Sequence, residues 1–273
     1  RLPSPHLWES WPSPSPSASC CCWLRCSSIL QPSCCAADCR IADMTSDTHT
    51  SAYTKILTMK DLVVVRGEQR LIDHVSATVT RGHITLLLGH NGAGKTVLMN
   101  CLHGLMTVDS GRIDAPPQQR QKMVFQKAIM LRRSAGQYLK FLCPELDTQQ
   151  LSSWLARAGL SHRTDTPARA LSGGEQQKLA LIGALASRPD ILFLDEPTAH
   201  LDFDATKSIE AMILDAHADG TSILMTSHNR AQAQRLAEDV LLLDNGRLIE
   251  AAPAAHFFTA PTNPLVRHYL DHV

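Results

Sequence analysis

A glycine-rich loop between an apolar run and a helical pattern constrains the fold of this chain more than any other feature. The apolar run is Ile84–Leu88, and the apolar residues of 97–105 recur with helical spacing. Between them lies Gly89-His90-Asn91-Gly92-Ala93-Gly94-Lys95-Thr96. A short continuous apolar run is typical of a strand that is buried on both faces. The order of strand, loop and helix therefore predicts a sheet of parallel strands with helices packed on it.

The composition of this loop predicts a phosphate-binding site. Its glycines let the backbone curl so that successive N–H groups face one point, and the helix that follows adds partial positive charge at its first turn. Lys95 is the candidate contact to the β- and γ-phosphates of a nucleotide, and the Thr96 hydroxyl is a candidate Mg²⁺ ligand. All residues from Gly89 to Thr96 are therefore predicted to bind the nucleotide.

The rest of the chain alternates between strand and helix patterns. Apolar or β-rich runs predict strands at 56–65, 71–79, 123–125, 191–194, 222–225, 240–243 and 247–249. Helical spacing predicts helices at 137–141, 149–158, 175–186, 204–217 and 230–237. Turns are predicted at 67–68, 81–83 and 109–111, where glycine is present. No strand pattern is evident between 127 and about 172, so this stretch is predicted to be a helical insertion.

Two carboxylates follow the strand pattern at 191–194. An acid at the carboxyl end of a parallel strand lies where open α/β sheets bind their ligands. Asp195 is therefore the candidate Mg²⁺ ligand, acting through water, and Glu196 is the candidate general base that polarises the attacking water. The sequence Asp195-Glu196-Pro197 also suits the start of a helix. The presence of Lys95 favours the catalytic interpretation.

Ser172-Gly173-Gly174 precedes a further helical pattern and permits two interpretations. The serine can cap the helix, with Glu175 in the first turn. The same arrangement can also bind an anion at the start of the helix. Since the nucleotide at Lys95 already has its own loop, an anion bound here would belong to a different nucleotide.

Three segments resemble those of the ATP-binding cassette (ABC) ATPase family in their order and spacing. They are the loop at 89–96, the segment Leu171-Ser172-Gly173-Gly174-Glu175-Gln176 and the pair Asp195-Glu196. The resemblance implies an α/β P-loop NTPase fold with a mostly parallel sheet core, an antiparallel β subdomain and the helical insertion at about 127–172. It implies ATP and Mg²⁺ as cofactors, and a head-to-tail homodimer with two ATP at its interface. Ser172, Gly173 and Gly174 would then reach the γ-phosphate held by the other copy.

Three further positions match the family residue by residue. Gln126 matches the glutamine that senses Mg²⁺ and the attacking water, and that joins the core to the insertion. His228 matches the switch histidine that contacts the γ-phosphate, and Asp202 after Leu201 matches the loop that signals across the dimer. The resemblance thus implies a catalytic set of Glu196, His228 and Gln126, and a metal-binding set of Thr96, Gln126 and Asp195.

Two positions depart from the family pattern. The aromatic residue that usually stacks on adenine just before a glycine is replaced by Arg66, which precedes Gly67. A guanidinium can stack on a base through its planar face, and Tyr53 is the nearest aromatic alternative. His200 stands where a small residue often precedes Leu-Asp, and the pattern assigns it no role.

The resemblance implies the ATPase subunit of an ABC transporter, bound peripherally at the cytoplasmic face of the inner membrane. Separate cassette and permease chains favour import, with a solute-binding protein as a further partner. The segments 103–105, 123–127 and 130–134 look like those of tungstate-type oxyanion importers. The alternative is a soluble regulatory ABC ATPase, although such proteins usually carry two cassettes in one chain. Basic and acidic residues number 26 each, which gives no reason to expect a nucleic-acid partner.

Residues 1–50 differ in composition from the rest of the chain and hold seven of the nine cysteines. Three interpretations are a metal site, a secretory signal, and translated upstream sequence with Met44 as the natural start. The third is favoured, because the segment has no CxxC pair and no clean apolar core of a signal peptide. We therefore expect 1–50 to be disordered and 51–273 to be the nucleotide-binding domain. Cys101 and Cys143 are expected to be buried free thiols.

Overall fold

The computed structural model describes residues 54–272. The expected disorder of 1–50 and the suggested stacking role of Tyr53 lie outside the described residues. The strands are β1 Lys55–Arg66, β2 Gln69–Thr80, β3 Ile84–Leu88, β4 Ser110–Asp114, β5 Gln121–Val124, β6 Ile191–Leu194, β7 Ser222–Thr226, β8 Asp239–Asp244 and β9 Arg247–Pro253. The helices are α1 Lys95–His103, α2 Ala135–Leu142, α3 Thr148–Arg157, α4 Gly173–Leu185, α5 Phe203–Ala218, α6 Arg230–Leu236, α7 Ala254–Thr259 and α8 Pro264–His272.

A six-stranded sheet in the order β5-β6-β7-β3-β8-β9 carries the glycine-rich loop. Its neighbouring strands are parallel, except that β8 and β9 are antiparallel. Every residue of β3, β6 and β7 is buried, as expected for parallel strands that are covered on both faces. The carboxyl ends of these three strands therefore meet at one edge of the sheet.

Alternate residues of β3 enter two separate apolar cores. Ile84, Leu86 and Leu88 pack in the core that includes α4 and α5. Leu87 packs in the core that includes α1 and the smaller sheet. This alternation follows from the two-residue period of a strand. Because β3 is packed on both faces, the loop that follows it starts from a rigid position.

The smaller sheet is antiparallel and has the order β2-β1-β4. The turn predicted at 109–111 is wrong in part, because Ser110 and Gly111 begin β4. Ser110 pairs with Val63 of β1, and Gly111 has a φ of 93°, where a Cβ would overlap the carbonyl oxygen of Asp61. Pairing with a strand that is distant in sequence decides the structure here, and the local Asp-Ser-Gly pattern does not reveal it.

Residues 127–172 hold α2 and α3 with short 3-10 turns, and no strand lies among them. Both helices begin with a capping box, formed by Ser134 with Gln137 in α2 and by Asp147 with Gln150 in α3. In this motif each of the two side chains accepts a hydrogen bond from the other residue's backbone N–H. The buried face of α2 packs against α4, which connects the insertion to the large sheet.

The other predicted helices and strands are present, with ends shifted by at most four residues. Cys101 and Cys143 are buried free thiols, as predicted. Helices α7 and α8 follow β9. A search of residues 54–272 finds no helix with the length and apolar character needed to span a membrane.

Candidate functional site

Neighbouring strands bring the predicted site residues to one edge of the large sheet. The glycine-rich loop follows β3, Asp195 and Glu196 follow β6, and His228 comes shortly after β7. Because these strands are neighbours in a parallel arrangement, their carboxyl ends coincide. A cleft of about 1170 Å³ opens at this edge. Its lining includes Asn91, Gly92, Gly94, Lys95, Thr96, Gln126, Glu196 and His228.

The backbone of the loop follows a path that requires glycine at two positions. Gly94 has a φ of 102°, and a Cβ there would come within 2.9 Å of the Leu71 carbonyl oxygen. At Gly89, where φ is 148°, a Cβ would overlap the carbonyl oxygen of Leu243. The smaller sheet and β8 thus approach the loop too closely for any side chain. Since α1 begins at Lys95, its first turn, whose N–H groups lack helical partners, opens on the cleft.

Lys95 is only 7% exposed and is held inside the loop. Its Nζ donates to the carbonyl oxygens of Gly89 at 2.8 Å and of His90 at 3.0 Å. Burial lowers the pKa of the ammonium group, while the carboxylates of Glu196 and Asp195 oppose that shift. A buried cation beside backbone N–H groups complements the charge of a polyphosphate.

Asp195 is held by two hydroxyl groups. Thr96 Oγ1 donates to Asp195 Oδ2 at 3.0 Å, and Thr226 Oγ1 donates to Asp195 Oδ1 at 2.8 Å. The Thr226 oxygen also accepts the backbone N–H of Glu196 at 2.8 Å. Thr226 was not predicted as a site residue, because a single threonine at the end of a strand carries no signal for such a role. It positions both carboxylate-bearing residues.

The Glu196 carboxylate lies between two other predicted catalytic residues. Gln126 Nε2 donates to Glu196 Oε2 at 2.9 Å, and His228 Nε2 forms an ion-pair contact with Glu196 Oε1. The backbone of Glu196 has a φ of 45°, in the left-handed region that non-glycine residues rarely adopt. Such strain at a cleft often accompanies function. The structure thus brings Glu196, Gln126 and His228 together, beside Lys95.

Ser172, Gly173 and Gly174 do not line this cleft. Ser172 forms a capping box at the start of α4: its Oγ accepts the Glu175 N–H at 3.3 Å, and Glu175 Oε2 accepts the Ser172 N–H at 2.9 Å. Asp202 similarly caps α5, since its Oδ1 accepts the Ala205 N–H at 2.7 Å. The capping interpretation of Ser172 is therefore correct for this chain alone. Asp202 is not among the residues that line the cleft, although its neighbour Leu201 is.

Several residues that line the cleft were not predicted from the sequence. Arg66 does not line the cleft, because its guanidinium donates to Asp109 Oδ2 and to the Thr107 carbonyl oxygen, each at 3.2 Å. His200, with a φ of 61°, does line it. The unpredicted lining residues include Gln69, Arg70, Leu71, Asn245 and Gly246. They come from β2 and from the turn between β8 and β9, and their sequences carry no ligand motif.

Known proteins resemble this chain in sequence. The sequence model of the ABC transporter family matches residues 72–199. The methionine import ATP-binding protein MetN of Brucella abortus is 32% identical over 254 residues, which cover 85% of this chain and 69% of that protein. The tungstate uptake system ATP-binding protein TupC of Peptoclostridium acidaminophilum is 33% identical over 208 residues, which cover 71% of this chain and 97% of that protein.

A solved structure of an ATP-binding subunit of an ABC transporter superposes with a TM-score of 0.71 at 22% identity. It covers 79% of this chain and 99% of its own, so it shows the fold. The predicted α/β P-loop NTPase fold, with its parallel core and antiparallel subdomain, is confirmed. TupC is matched almost end to end, and the loop, the buried carboxylate and the glutamate converge on one cleft. The chain belongs to the ABC transporter family of ATP-binding subunits, and its activity is the hydrolysis of ATP.

Proposed function

We propose that this chain drives the import of a solute through a separate membrane permease. The observation that carries the proposal is the convergence, at one sheet edge, of a phosphate-binding loop, a buried carboxylate beside a hydroxyl, and a glutamate held by two polar side chains. MetN, TupC and TcyC, relatives at 32%, 33% and 26% identity, are named for the import or uptake of methionine, tungstate and cystine. These names support the direction of transport.

In this proposal the loop from Gly89 to Thr96 binds the phosphates of ATP. Lys95 would exchange its two carbonyl partners for β- and γ-phosphate oxygens. Thr96 Oγ1 and Asp195 Oδ2, 3.0 Å apart, present the hydroxyl and carboxylate oxygens that Mg²⁺ prefers, so this pair fits the metal. Gln126 offers a further oxygen beside them. Bound Mg²⁺ supplies positive charge against the negative charge of the phosphates.

Glu196 is proposed as the general base that accepts a proton from the attacking water. Its carboxylate oxygens are bonded by Gln126 and His228, so a water that enters this cluster meets an oriented acceptor. His228 would turn to the γ-phosphate when ATP is bound. The hydroxyl of Thr226 holds the Glu196 backbone, and therefore the direction of the base, through the reaction.

The second part of each ATP site is proposed to come from a second copy of the chain. Ser172, Gly173 and Gly174 lie at the start of α4, outside the cleft of their own copy. The N–H groups at the start of this helix form a favourable site for the γ-phosphate of a nucleotide on the partner. Asp202, at the start of α5, is proposed to signal between the two copies. A homodimer would thus contain two ATP molecules.

An exposed apolar patch on the insertion is the proposed contact with the permease. Ile129 is 69% exposed, Phe141 53% and Leu142 42%. Ile129 is near α2, because its carbonyl oxygen accepts from Tyr138 Oη at 3.3 Å, and Tyr138 lies one turn before Phe141 and Leu142. Apolar surface concentrated in one place commonly marks an interface. We propose that the cassette, residues 51–273 with its helical subdomain at about 127–172, docks there, peripheral to the cytoplasmic face of the membrane.

The solute is proposed to be delivered by a separate binding protein. Tungstate is the first solute to test, because TupC is matched over 97% of its length. No residue of the nucleotide cleft is expected to touch the solute, so the permease and the binding protein select it.

Photo-cross-linking in cells tests the permease contact. A photoreactive phenylalanine analogue at position 141 should cross-link to an integral membrane protein with several spanning helices, identified by mass spectrometry. The matched control is the same analogue at Leu265 of α8, which is also exposed, at 54%, but lies outside the patch. It should give no such product. If position 141 cross-links only to proteins without spanning helices, the transport function is wrong, whereas a regulatory ATPase would fit.

A further inference from the structure

A second cavity lies at the edge of the large sheet opposite the nucleotide cleft. Its volume is about 470 Å³, and it shares no lining residue with the cleft. One wall is formed by residues that lead into β6 and β7, among them Asp190 and Thr221. The other comes from Trp154 and Arg157 at the end of α3, which belongs to the insertion. The cavity therefore lies between the insertion and the core, and ATP hydrolysis uses none of its residues.

Three guanidinium groups line this cavity, and they are neutralised to different degrees. Arg120 donates to both carboxylate oxygens of Asp190, at 3.1 Å and 2.5 Å, and holds the pKa of that carboxyl below its ordinary value. In the described part of the chain, Arg157 has one carboxylate within ion-pair distance, that of Asp219 at 3.9 Å, and this carboxylate is largely exposed. Among residues 54–272 no carboxylate lies within ion-pair distance of Arg188. Two guanidinium groups thus remain weakly compensated.

One of these groups, that of Arg157, is held in place by an aromatic ring. The guanidinium carbon of Arg157 lies 4.5 Å from the centroid of the Trp154 ring, so the planar group is stacked on the indole. Arg188 follows the end of α4 with a φ of 48°, a left-handed conformation that is uncommon for arginine. A guanidinium held as that of Arg157 is loses less conformational freedom when it binds a ligand.

We propose that this cavity binds a small phosphate-bearing anion through Arg157 and Arg188. Guanidinium groups match the geometry of phosphate oxygens and form two parallel hydrogen bonds with them. Two weakly compensated positive charges suit a group with two negative charges. The volume is in the range of small-molecule sites, about 300–1,000 Å³. Because Arg157 belongs to the insertion and Arg188 to the core, an anion that bridges them would favour one arrangement of the two. The inference does not depend on the proposed import function.

Calorimetric titration of the full chain with inorganic pyrophosphate, without Mg²⁺, tests the site. We expect two binding events in the wild-type protein, one at each cavity. Lys95→Ala should remove one of them. The double variant Arg157→Gln/Arg188→Gln should weaken the other by about tenfold or more, because it removes charge-assisted hydrogen bonds. Arg112→Gln, at an exposed arginine outside both cavities, is the matched control and should change neither event.

A further variant separates loss of binding from loss of folding. Asp219→Asn removes a carboxylate that competes for Arg157. It should therefore increase the affinity of the second cavity for pyrophosphate by about twofold to threefold, which corresponds to the usual energy of an exposed ion pair. A folding defect cannot produce tighter binding. The proposal is overturned if only one event is seen and Lys95→Ala removes it, or if the double variant binds pyrophosphate at both sites as the wild type does.

Discussion

Thr226 is fully buried at the end of β7, and its single hydroxyl bonds to the two residues that directly follow β6. It donates to the Asp195 carboxylate and accepts the Glu196 N–H. Glu196 has a left-handed backbone, which costs about 1–3 kcal/mol at a non-glycine residue. The hydrogen bond from its N–H is one of the interactions that hold this conformation. At the scale of the residue, the catalytic geometry thus depends on a side chain that contacts no substrate.

We expect Thr226→Val to lower kcat for ATP by about tenfold or more while leaving KM nearly unchanged. Valine has the same shape but leaves the Glu196 N–H and Asp195 Oδ1 without this partner. Steady-state ATPase assays measure the effect. Thr226→Ser keeps the hydroxyl and should restore most of the rate, which a purely structural role for the methyl group would not predict. An unchanged kcat in Thr226→Val would show that the hydroxyl does not position the base.

Arg66 is the residue at which the family pattern and this chain differ. Its guanidinium is locked by Asp109 and the Thr107 carbonyl, so one planar face has a defined direction. Because this group is held outside the cleft lining, Arg66→Ala and Arg66→Tyr should each leave the affinity for ATP within about twofold of the wild type. Calorimetric titration with ATP measures both. Equal affinity in all three proteins would agree with a base that lies against Gln69, Arg70 and Leu71 of β2, which line the cleft. Weaker binding by Arg66→Ala that Arg66→Tyr restores would show instead that the side chain at position 66 stacks on the base.

At the scale of the element, the start of α4 combines an observed helix cap with a proposed role in nucleotide binding. Its capping box joins Ser172 and Glu175, and Arg163 Nε donates to Glu175 Oε1 at 3.2 Å. A capping serine satisfies backbone N–H groups that the helix cannot pair. The same helix start is the segment proposed to reach the nucleotide of the partner copy. The contribution of Ser172 to the stability of the fold and its proposed contact with the partner's nucleotide can therefore be measured in separate experiments.

Ser172→Ala should lower the free energy of unfolding by about 1 kcal/mol, the usual cost of losing a serine cap. Urea denaturation followed by circular dichroism measures the change. Ser161→Ala is the matched control, because Ser161 is an exposed serine in a 3-10 turn that has no side-chain cap. Its unfolding should be unaffected. Equal destabilisation by both changes would contradict the capping role.

Glu175 adds a pH dependence to the same element. The backbone N–H of Ser172, then its hydroxyl and Arg163, hold the pKa of Glu175 below its ordinary value of 4.5. A carboxylate with a lowered pKa stabilises the folded state above the ordinary pKa, and this contribution is lost as the pH falls through the folded value. Glu175→Gln should therefore be less stable than the wild type at pH 6. In urea unfolding curves this difference in stability should shrink as the pH falls below 4.5, and a difference that stays constant with pH would show that the charge of Glu175 makes no contribution.

At the scale of the whole molecule, the nucleotide site of one chain is incomplete in the proposed mechanism. The cleft gathers the loop, the two carboxylates, Gln126 and His228. The segment at Ser172 is fixed elsewhere by its capping box. A second copy is needed to bring that segment to the γ-phosphate, and ATP itself would join the two copies.

Size-exclusion chromatography of Glu196→Gln tests this arrangement. Removing the base should leave ATP binding intact, so Mg-ATP should shift the protein from monomer to dimer. Adding Ser172→Arg should abolish the shift, because a bulky cation would occupy the place of the γ-phosphate contact. Adding Lys95→Ala should abolish it as well, through loss of ATP. A dimer that persists with Ser172→Arg would mean that the copies associate through another surface.

Much of the fold and the candidate site could be predicted from the sequence, because the signals are local. Each signal spans only a few residues: a strand directly precedes Gly89, a helix begins at Lys95, and the two carboxylates directly follow β6, as the structure has them. β4 was missed because Ser110 and Gly111 look like a turn until β1 pairs with them. Pairing between distant segments leaves no trace in a short window of sequence.

By itself, the sequence determined the family and the fold class of this protein: the glycine-rich loop after β3, the two carboxylates after β6, and the alternation of strands and helices that requires a parallel sheet. These follow from backbone sterics and the period of buried side chains, which act over a few residues. Only the tertiary structure decided that Thr226 joins the two carboxylate residues, and that Arg66 turns to Asp109. Those contacts join residues that are far apart in the chain, and packing alone brings them within hydrogen-bond distance.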